Sequence, residues 1–443
     1  MKISDIINIV NGNLLNNSNI NNKINKIKIN SRKVNKNDLF ICIKGLNNDG
    51  HKYINDVKNI ASAIIVSEDI DCSNIFIPII KVNDTIEALG LLASYIRNMY
   101  DIPLIAITGS VGKTTTKELI SHILSSKYKV LKTVGNYNNH IGLPLTLLNL
   151  NKSYDIIVTE VGMNHLGEIR KLSKIANPNT CIITNIGTSH IGNLGSKENI
   201  FKAKMEIIKG MNKGDLIVNA NDEYLDNLSS ANNYNVIKCG FDEANDIYAY
   251  DINFDLEKSI FKIKFNNNIY QVVFNIPGKH LITNVLIAIK CCLNYGIDIK
   301  TIIDKIDSFK SINNRMEIIN ISNNNILISD TYNSSYESLT GALNVIKMYK
   351  QNKIIILGDI LEIGNYKDDI YNKIDKQLQS IDDKIVYLVG NGIININNDY
   401  NFNNVEELLK HIKNINIKDS VILIKGSNKI NLKLISDYLK NEY

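Results

Sequence analysis

The residues of this chain best suited to chemistry are Thr108-Gly109-Ser110-Val111-Gly112-Lys113-Thr114-Thr115. An apolar run, Ile105-Ala106-Ile107, leads into a Gly-rich turn, a Lys-Thr-Thr step and then a helical pattern. That is the build of a phosphate-binding loop. Backbone N–H groups of the turn and a helix N-terminus face the phosphates, Lys113 adds a point charge, and the hydroxyl of Thr114 or Thr115 can reach Mg²⁺. The loop is shorter than the usual form, and Ile107 stands where a first Gly is common. A tight strand–helix turn with a stray lysine is the simpler alternative. The strand before, the helix after and the successive threonines favour the phosphate loop.

Three further positions have chemical potential. Glu160 ends the strand-like run Asp155-Ile156-Ile157-Val158-Thr159. An acid at a strand's C-terminal end, downstream of a phosphate loop, is placed to hold Mg²⁺ directly or through water. His190 follows Thr184-Asn185-Ile186-Gly187-Thr188-Ser189, and alone it reads as a structural histidine. Lys204 sits in a helical pattern, and alone it reads as a solvated charge. The loop Asn136-Tyr137-Asn138-Asn139-His140 offers amide donors and acceptors suited to a sugar, peptide or pyrophosphate, in a chain where Asn is abundant throughout.

These residues need a scaffold of several domains. A chain of 443 residues exceeds one ordinary core, and 44% hydrophobic with 21% charged residues fits a globular protein. A net charge of +5 is small for this length, and no basic block is interleaved with aromatics, so nucleic-acid binding is not expected. Six cysteines (42, 72, 181, 239, 291, 292) form no CxxC pair and read as buried reduced thiols. No signal-like start or membrane-length apolar run is present, which predicts a cytoplasmic protein without membrane insertion.

The periodicity predicts an α/β protein. Strands are expected at 38–43 and 61–66 around the polar loop 44–51. Asp84 is expected to cap a helix from Thr85 to Met99. Beyond it, strands at 104–108, 155–160, 181–185 and 216–219 alternate with helices at 113–126, 165–175, 197–209 and 280–296. This is a mainly parallel sheet covered on both faces. Alternation over 245–275 predicts antiparallel hairpins attached to that core. After Arg315, strands at 326–328, 353–357, 385–389 and 421–424 predict a second, Rossmann-like unit. The Asn runs near 322–325 and 394–404 are expected to be solvated loops. The expected domains are 1–82, 83–313 and 314–443.

Taken together, these pieces resemble the Mur ligases of peptidoglycan synthesis. The likeness spans nearly the whole chain in order. It runs from Asn30-Ser31-Arg32-Lys33 and Lys44-Gly45…Asp49-Gly50-His51 through residues 108–115, Gly135–Pro144, Glu160-Val161-Gly162-Met163 and Asn185–His190 to Ala203-Lys204-Met205-Glu206-Ile207. It continues with Pro277-Gly278-Lys279-His280…Asn284, Asn314-Arg315, Asp330-Thr331-Tyr332-Asn333, Leu357-Gly358-Asp359 and Lys425-Gly426-Ser427. The resemblance implies a first domain for the UDP end of the substrate, a second for ATP and a third for an incoming amine. It implies that ATP phosphorylates a carboxylate and that the amine attacks the acyl phosphate, with two Mg²⁺ ions offsetting charge.

Carried over residue by residue, the resemblance implies that Gly109, Ser110, Val111, Gly112, Lys113, Thr114 and Thr115 hold phosphates. Thr114 or Thr115 with Glu160 would serve one Mg²⁺. His190 would serve the second, and Lys204 matches a lysine that is carbamylated. Asn284, Arg315 and Asp330 match positions around adenine, phosphates and ribose. Ser31 and Arg32 match the uridine pocket, and Asn138, Asn139 and Asn333 the substrate side. The nearest pattern within the family implies UDP-N-acetylmuramoyl-tripeptide and D-alanyl-D-alanine as substrates, and a monomer. The sequence departs from the family mainly in the last domain, at Ser334-Ser335-Tyr336, Tyr371 and Asn428, and also at Leu281 after the Gly-Lys-His motif. A paralogue adding another amino acid or dipeptide is therefore an alternative, as is a catalytically silent nucleotide- or UDP-sugar-binding protein. The segment 1–82 argues against a folylpolyglutamate synthetase, which lacks a UDP-binding first domain.

Overall fold

The computed structural model describes residues 1–16, 18–45, 47–393 and 396–442. Leu46 of the 44–51 loop and residues 394–395 of the second Asn run lie outside them. Among the described residues the strands form three sheets, of five, nine and six strands.

The first sheet runs Asn13–Leu14, Ile79–Lys81, Ala63–Val66, Leu39–Ile41, Ile27–Lys28, parallel except at the Asn13–Leu14 edge. Its middle strands are buried on both faces, which accounts for their unbroken apolar runs. The helix Thr85–Asn98 then packs on both the first and the central units. Asp84 caps it, accepting from the N–H groups of Ile86 (2.7 Å) and Glu87 (3.1 Å).

The central sheet runs Asn268–Phe274, Ser259–Phe265, Ile247–Phe254, Tyr234–Gly240, Gly214–Asn219, Thr180–Ile183, Leu104–Thr108, Ile156–Glu160, Val130–Lys132. The strands expected at 104–108, 155–160, 181–185 and 216–219 are its parallel centre. After Leu104–Thr108 the chain adds strands on one side, then on the other. The phosphate-loop strand therefore stands at a topological switch point, where open α/β sheets bind ligands. The 245–275 hairpins are continuous with this sheet: Cys239 and Gly240 pair in parallel with Ile247 and Tyr248. The edge strand Val130–Lys132 escaped the periodicity because it is short, and the interior strand Tyr234–Gly240 because polar residues interrupt it.

The helix expected over 197–209 is two pieces, an α-helix Lys197–Met205 and a 3₁₀ turn Glu206–Gly210. The tighter turn brings Gly210 against the Ser173 carbonyl, where a Cβ would lie 2.0 Å from the oxygen. It also turns the buried Glu206 carboxylate onto the N–H groups of Gly167 and Arg170 at the start of helix Glu168–Ala176.

The third sheet runs Glu317–Ile321, Asn325–Asp330, Ser420–Lys425, Asn352–Gly358, Lys384–Val389, Tyr400–Phe402, parallel apart from the first pair. The two Asn runs are not simply the solvated loops expected of them. Asn323 and Asn324 turn a hairpin with φ +58° and +57°, but Asn325 is buried in a strand. Its amide donates to the Ile417 carbonyl (2.9 Å) and accepts from Ser420 N–H (3.0 Å). Tyr400–Phe402 is likewise an edge strand rather than a loop. Five cysteines are buried as expected, and Cys72 is only half-buried.

Candidate functional site

Three neighbouring strands end at one edge of the central sheet. Ile107 lies opposite Glu160, and Thr108 opposite Ile183. The phosphate-loop turn, the Glu160 carboxylate and the segment 184–190 therefore emerge side by side.

The turn is braced from beneath. Ser110 N–H donates to the Asn185 carbonyl (3.1 Å) and Val111 N–H to Asn185 Oδ1 (2.8 Å). Thr184 Oγ1 donates to the Val111 carbonyl (2.5 Å). These bonds use two N–H groups that the sequence offers to phosphates. Among the described residues, the N–H groups of Gly112, Lys113, Thr114 and Thr115 have no acceptor, so the anion-binding capacity lies at the N-terminus of helix Lys113–Leu124. Gly112 has φ +86°, and a Cβ there would lie 2.6 Å from Asn284 Nδ2. Asn284 is thus buried behind the turn, on helix Lys279–Asn294.

Hard donors converge above the turn. Thr114 Oγ1 donates to Glu160 Oε2 (2.7 Å), and Asn138 Nδ2 donates to Glu160 Oε1 (2.8 Å). Glu160 N–H donates to Thr133 Oγ1, while buried Lys117 donates to the Thr133 carbonyl (2.8 Å each). A carboxylate and a hydroxyl held this way form the oxygen-donor set that Mg²⁺ takes. Lys113 folds back onto the loop, donating to the carbonyls of Gly109 (2.7 Å) and Ser110 (3.3 Å). Burial pulls its pKa below the ordinary lysine range; nearby Glu160 opposes the shift and Arg315 adds to it.

Lys204 is 1% exposed and lines the same cavity. Burial first, and then the charge of Lys113, hold its pKa well below the usual range, while Glu337 opposes the shift. The amine is therefore biased toward its neutral, nucleophilic form. His190 has φ +64°, and its Nδ1 lies 2.5 Å from Glu362 Oε2.

The third unit closes the cavity. Arg315 donates to Thr114 Oγ1 (2.9 Å) and stacks on Tyr332, its guanidinium carbon 3.8 Å from the ring centre. Asp330 Oδ2 accepts from buried Lys425 (2.5 Å), which also donates to the Asn333 carbonyl (3.0 Å). The cavity, open to solvent on one side, has a volume of about 360 Å³. Around it the structure brings together the 108–115 turn, Asn138, Asn139, Glu160, His190, Lys204, Arg315, Asp330 and Asn333. Asn139 lines it, but its side-chain oxygen also caps the following turn, accepting from the N–H groups of Ile141 and Gly142. Ser31 and Arg32 stand apart, in a 3₁₀ turn of the first unit capped by Asn30. Sequence reasoning gave no role to Tyr332, Lys425, Glu337 or Glu362. Tyr332 and Lys425 sat inside quoted motifs, but nothing in their spacing announced their partners.

A phosphate-binding turn, a carboxylate–hydroxyl pair and a buried lysine, roofed by a second nucleotide-type fold, define a nucleotide-using enzyme whose site is shared between units. Family models describe the same three parts: "Mur ligase family, catalytic domain" over residues 23–97, "Mur ligase middle domain" over 107–292, and "Mur ligase, glutamate ligase domain" over 314–428. The chain is 33% identical to the UDP-N-acetylmuramoyl-tripeptide–D-alanyl-D-alanine ligase of Buchnera aphidicola subsp. Baizongia pistaciae, covering 91% of this chain and 90% of that one. It is 34% identical to the Rickettsia prowazekii ligase of the same name, covering 91% and 92%. Among solved structures, MurF from Acinetobacter baumannii superposes with a TM-score of 0.89 at 28% identity, covering 99% and 98%. MurF ligase from Thermotoga maritima, in complex with ADP, superposes with a TM-score of 0.85 at 25% identity, covering 94% and 97%. The chain belongs to the Mur ligase family. No helix among the described residues is long and apolar enough to cross a membrane.

Proposed function

We propose that this chain is an ATP-dependent amide ligase that joins D-alanyl-D-alanine to UDP-N-acetylmuramoyl-tripeptide in peptidoglycan precursor synthesis, as a cytoplasmic monomer. The observation that carries this reading is the convergence of the 108–115 turn, Glu160, His190 and Lys204 with Arg315 and Asp330 of the third unit in one cavity. A carboxylate is a poor electrophile, and phosphorylation gives it a leaving group. The site needed is one that aligns a γ-phosphate, a carboxylate and an amine, and offsets charge as it develops.

In this reading the free N–H groups of Gly112 to Thr115 and the Lys113 ammonium receive the ATP phosphates. Asn284, Arg315 and Asp330 surround adenine, phosphates and ribose. Ser31 and Arg32 hold the uridine end, and Asn138, Asn139 and Asn333 face the remaining substrate. Thr114 or Thr115 with Glu160 would hold one Mg²⁺, and His190 with Lys204 a second; bound there, the ions neutralise phosphate charge. Lys204 has the environment for carbamylation. Its neutral amine would add to CO₂, the nitrogen would pass a proton to water, and the buried lysine would become a carbamate with metal-ligating oxygens.

The test is phosphate release measured against a matrix of UDP-muramoyl-peptides and amines. Release that requires both the tripeptide and D-alanyl-D-alanine is expected. Release only with another amine would reject the acceptor and keep the class. No nucleotide-dependent release with any pair would reject the enzyme reading.

A further inference from the structure

The 184–190 segment that braces the phosphate-binding turn is itself gripped from the third unit. Glu337 lies in the first turn of helix Tyr336–Ile346. Its Oε1 accepts from Thr188 N–H (2.7 Å) and its Oε2 from Thr188 Oγ1 (3.0 Å). One carboxylate thus takes a backbone and a side-chain donor from the same residue, across a sequence separation of 149. The approach is close: a Cβ on Gly187 would lie 2.6 Å from Glu337 Cδ. Ser335 and Ser338 fix where the helix starts through reciprocal capping bonds, so the Glu337 backbone is anchored.

What Glu337 grips leads directly to the loop. Gly187 N–H donates to Ser110 Oγ (2.8 Å), and Ser189 Oγ donates to the Ser110 carbonyl (3.3 Å). Asn185, three residues before Thr188, accepts from the N–H groups of Ser110 and Val111. We propose that Glu337 is a positioning residue for the ligase reaction: arriving with the third unit, it clasps Thr188 and holds that unit docked on the brace of the phosphate-binding turn. This rests on the reading above, in which the third unit carries the amine. A charge-assisted two-donor contact to a backbone-fixed residue holds position better than two flexible side chains would. Breaking it lowers the fraction of molecules in the docked state, and the apparent affinity for the amine falls by that fraction.

The experiment is steady-state kinetics on Glu337→Ala, Glu337→Gln, Thr188→Val and the double variant Glu337→Ala/Thr188→Val, with small-angle scattering of each protein plus ADP. Glu337→Ala is expected to raise KM for the amine about tenfold, with kcat at saturating amine changed far less. Glu337→Gln keeps an acceptor and is expected to recover part of the loss. Thr188→Val, which keeps side-chain shape, is expected to show a smaller defect. The double variant is expected to be no worse than Glu337→Ala, because the two residues act as one contact. Glu337→Ala with ADP is expected to have a larger radius of gyration than the parent. An unchanged KM for the amine, additive effects in the double variant, or a lower melting temperature with unaltered kinetics would overturn the proposal. A parent protein inactive with every substrate pair would instead overturn the functional reading, while the scattering comparison would still judge the clasp.

Discussion

The two halves of the cavity are built by different means. On the central side, the chemistry is local: eight consecutive residues make the turn, one strand end supplies Glu160, and adjacent strands fix their spacing. On the third unit's side, almost every contact is remote in sequence. Arg315 reaches Thr114 across 201 residues, Lys425 reaches Asp330 across 95, and Glu337 reaches Thr188 across 149. The difference separates a turn that one unit nearly completes by itself from a facing wall whose cross-unit contacts, Arg315 to Thr114 and Glu337 to Thr188, exist only when the units are docked.

The strongest way to break this comparison is at the turn. Lys113→Ala removes the ammonium that folds back on the Gly109 and Ser110 carbonyls of the turn, and kcat is expected to fall about 10²–10³-fold or more in the phosphate-release assay. A variant retaining near-normal turnover would move the chemistry elsewhere. Lys204→Ala is expected to lose nearly as much, with recovery when a short carboxylate is supplied; normal activity would remove this lysine from the mechanism.

The same lysine gives a pH test of stability. Its folded pKa lies below the unfolded value, so the unfolded state binds more protons between the two. Burying the cation costs most at low pH, and that cost is relieved as pH rises through the window toward the ordinary lysine value. In CO₂-free buffer, Lys204→Met is therefore expected to melt higher than the parent near neutrality, by about 1–3 kcal/mol. The gap is expected to shrink toward pH 10 and when bicarbonate is added. A gap that widened with pH would contradict the assigned burial.

The docking seam can be probed apart from the clasp. Gly192 meets the 362–364 backbone so closely that a Cβ would lie 2.7 Å from Gly364 N and 2.8 Å from the Glu362 carbonyl oxygen. Its N–H also donates to that carbonyl (2.8 Å). Gly192→Ala is expected to pry the third unit away, lowering kcat/KM for the amine about tenfold and enlarging the ADP-bound particle in scattering. The smallest effect serves as a control. Asp84→Ala removes the cap of helix Thr85–Asn98 and is expected to cost about 1 kcal/mol in denaturant unfolding, with kcat unchanged.

Much of this architecture was legible from periodicity, and the exceptions share a cause. Leu104–Thr108 and Ile156–Glu160 are long, apolar and buried on both faces, so their pattern is unambiguous. Val130–Lys132 is three residues at a sheet edge and carries no such pattern. Asn325 looked solvated beside other asparagines, yet it is buried because the Ile417 carbonyl and the Ser420 N–H satisfy its amide. His190 and Lys204 were unremarkable by type and spacing, and only a family resemblance picked them out. The structure adds the reason they are unusual: one backbone is left-handed, and one lysine is buried.

The sequence by itself determined the turn that can hold phosphate, the acid beside it and the alternation that makes three α/β units. Each of these is written in short-range terms, namely backbone freedom at glycine, helix-terminal N–H groups and burial period. Only the tertiary structure decided which N–H groups remain free, that Lys204 and Lys113 line one cavity, that Glu337 and Glu362 reach the central unit, and that Lys425 meets Asp330 within the third. Those outcomes depend on contacts between residues 74 or more positions apart, and no local pattern encodes which distant acceptor will meet a given N–H.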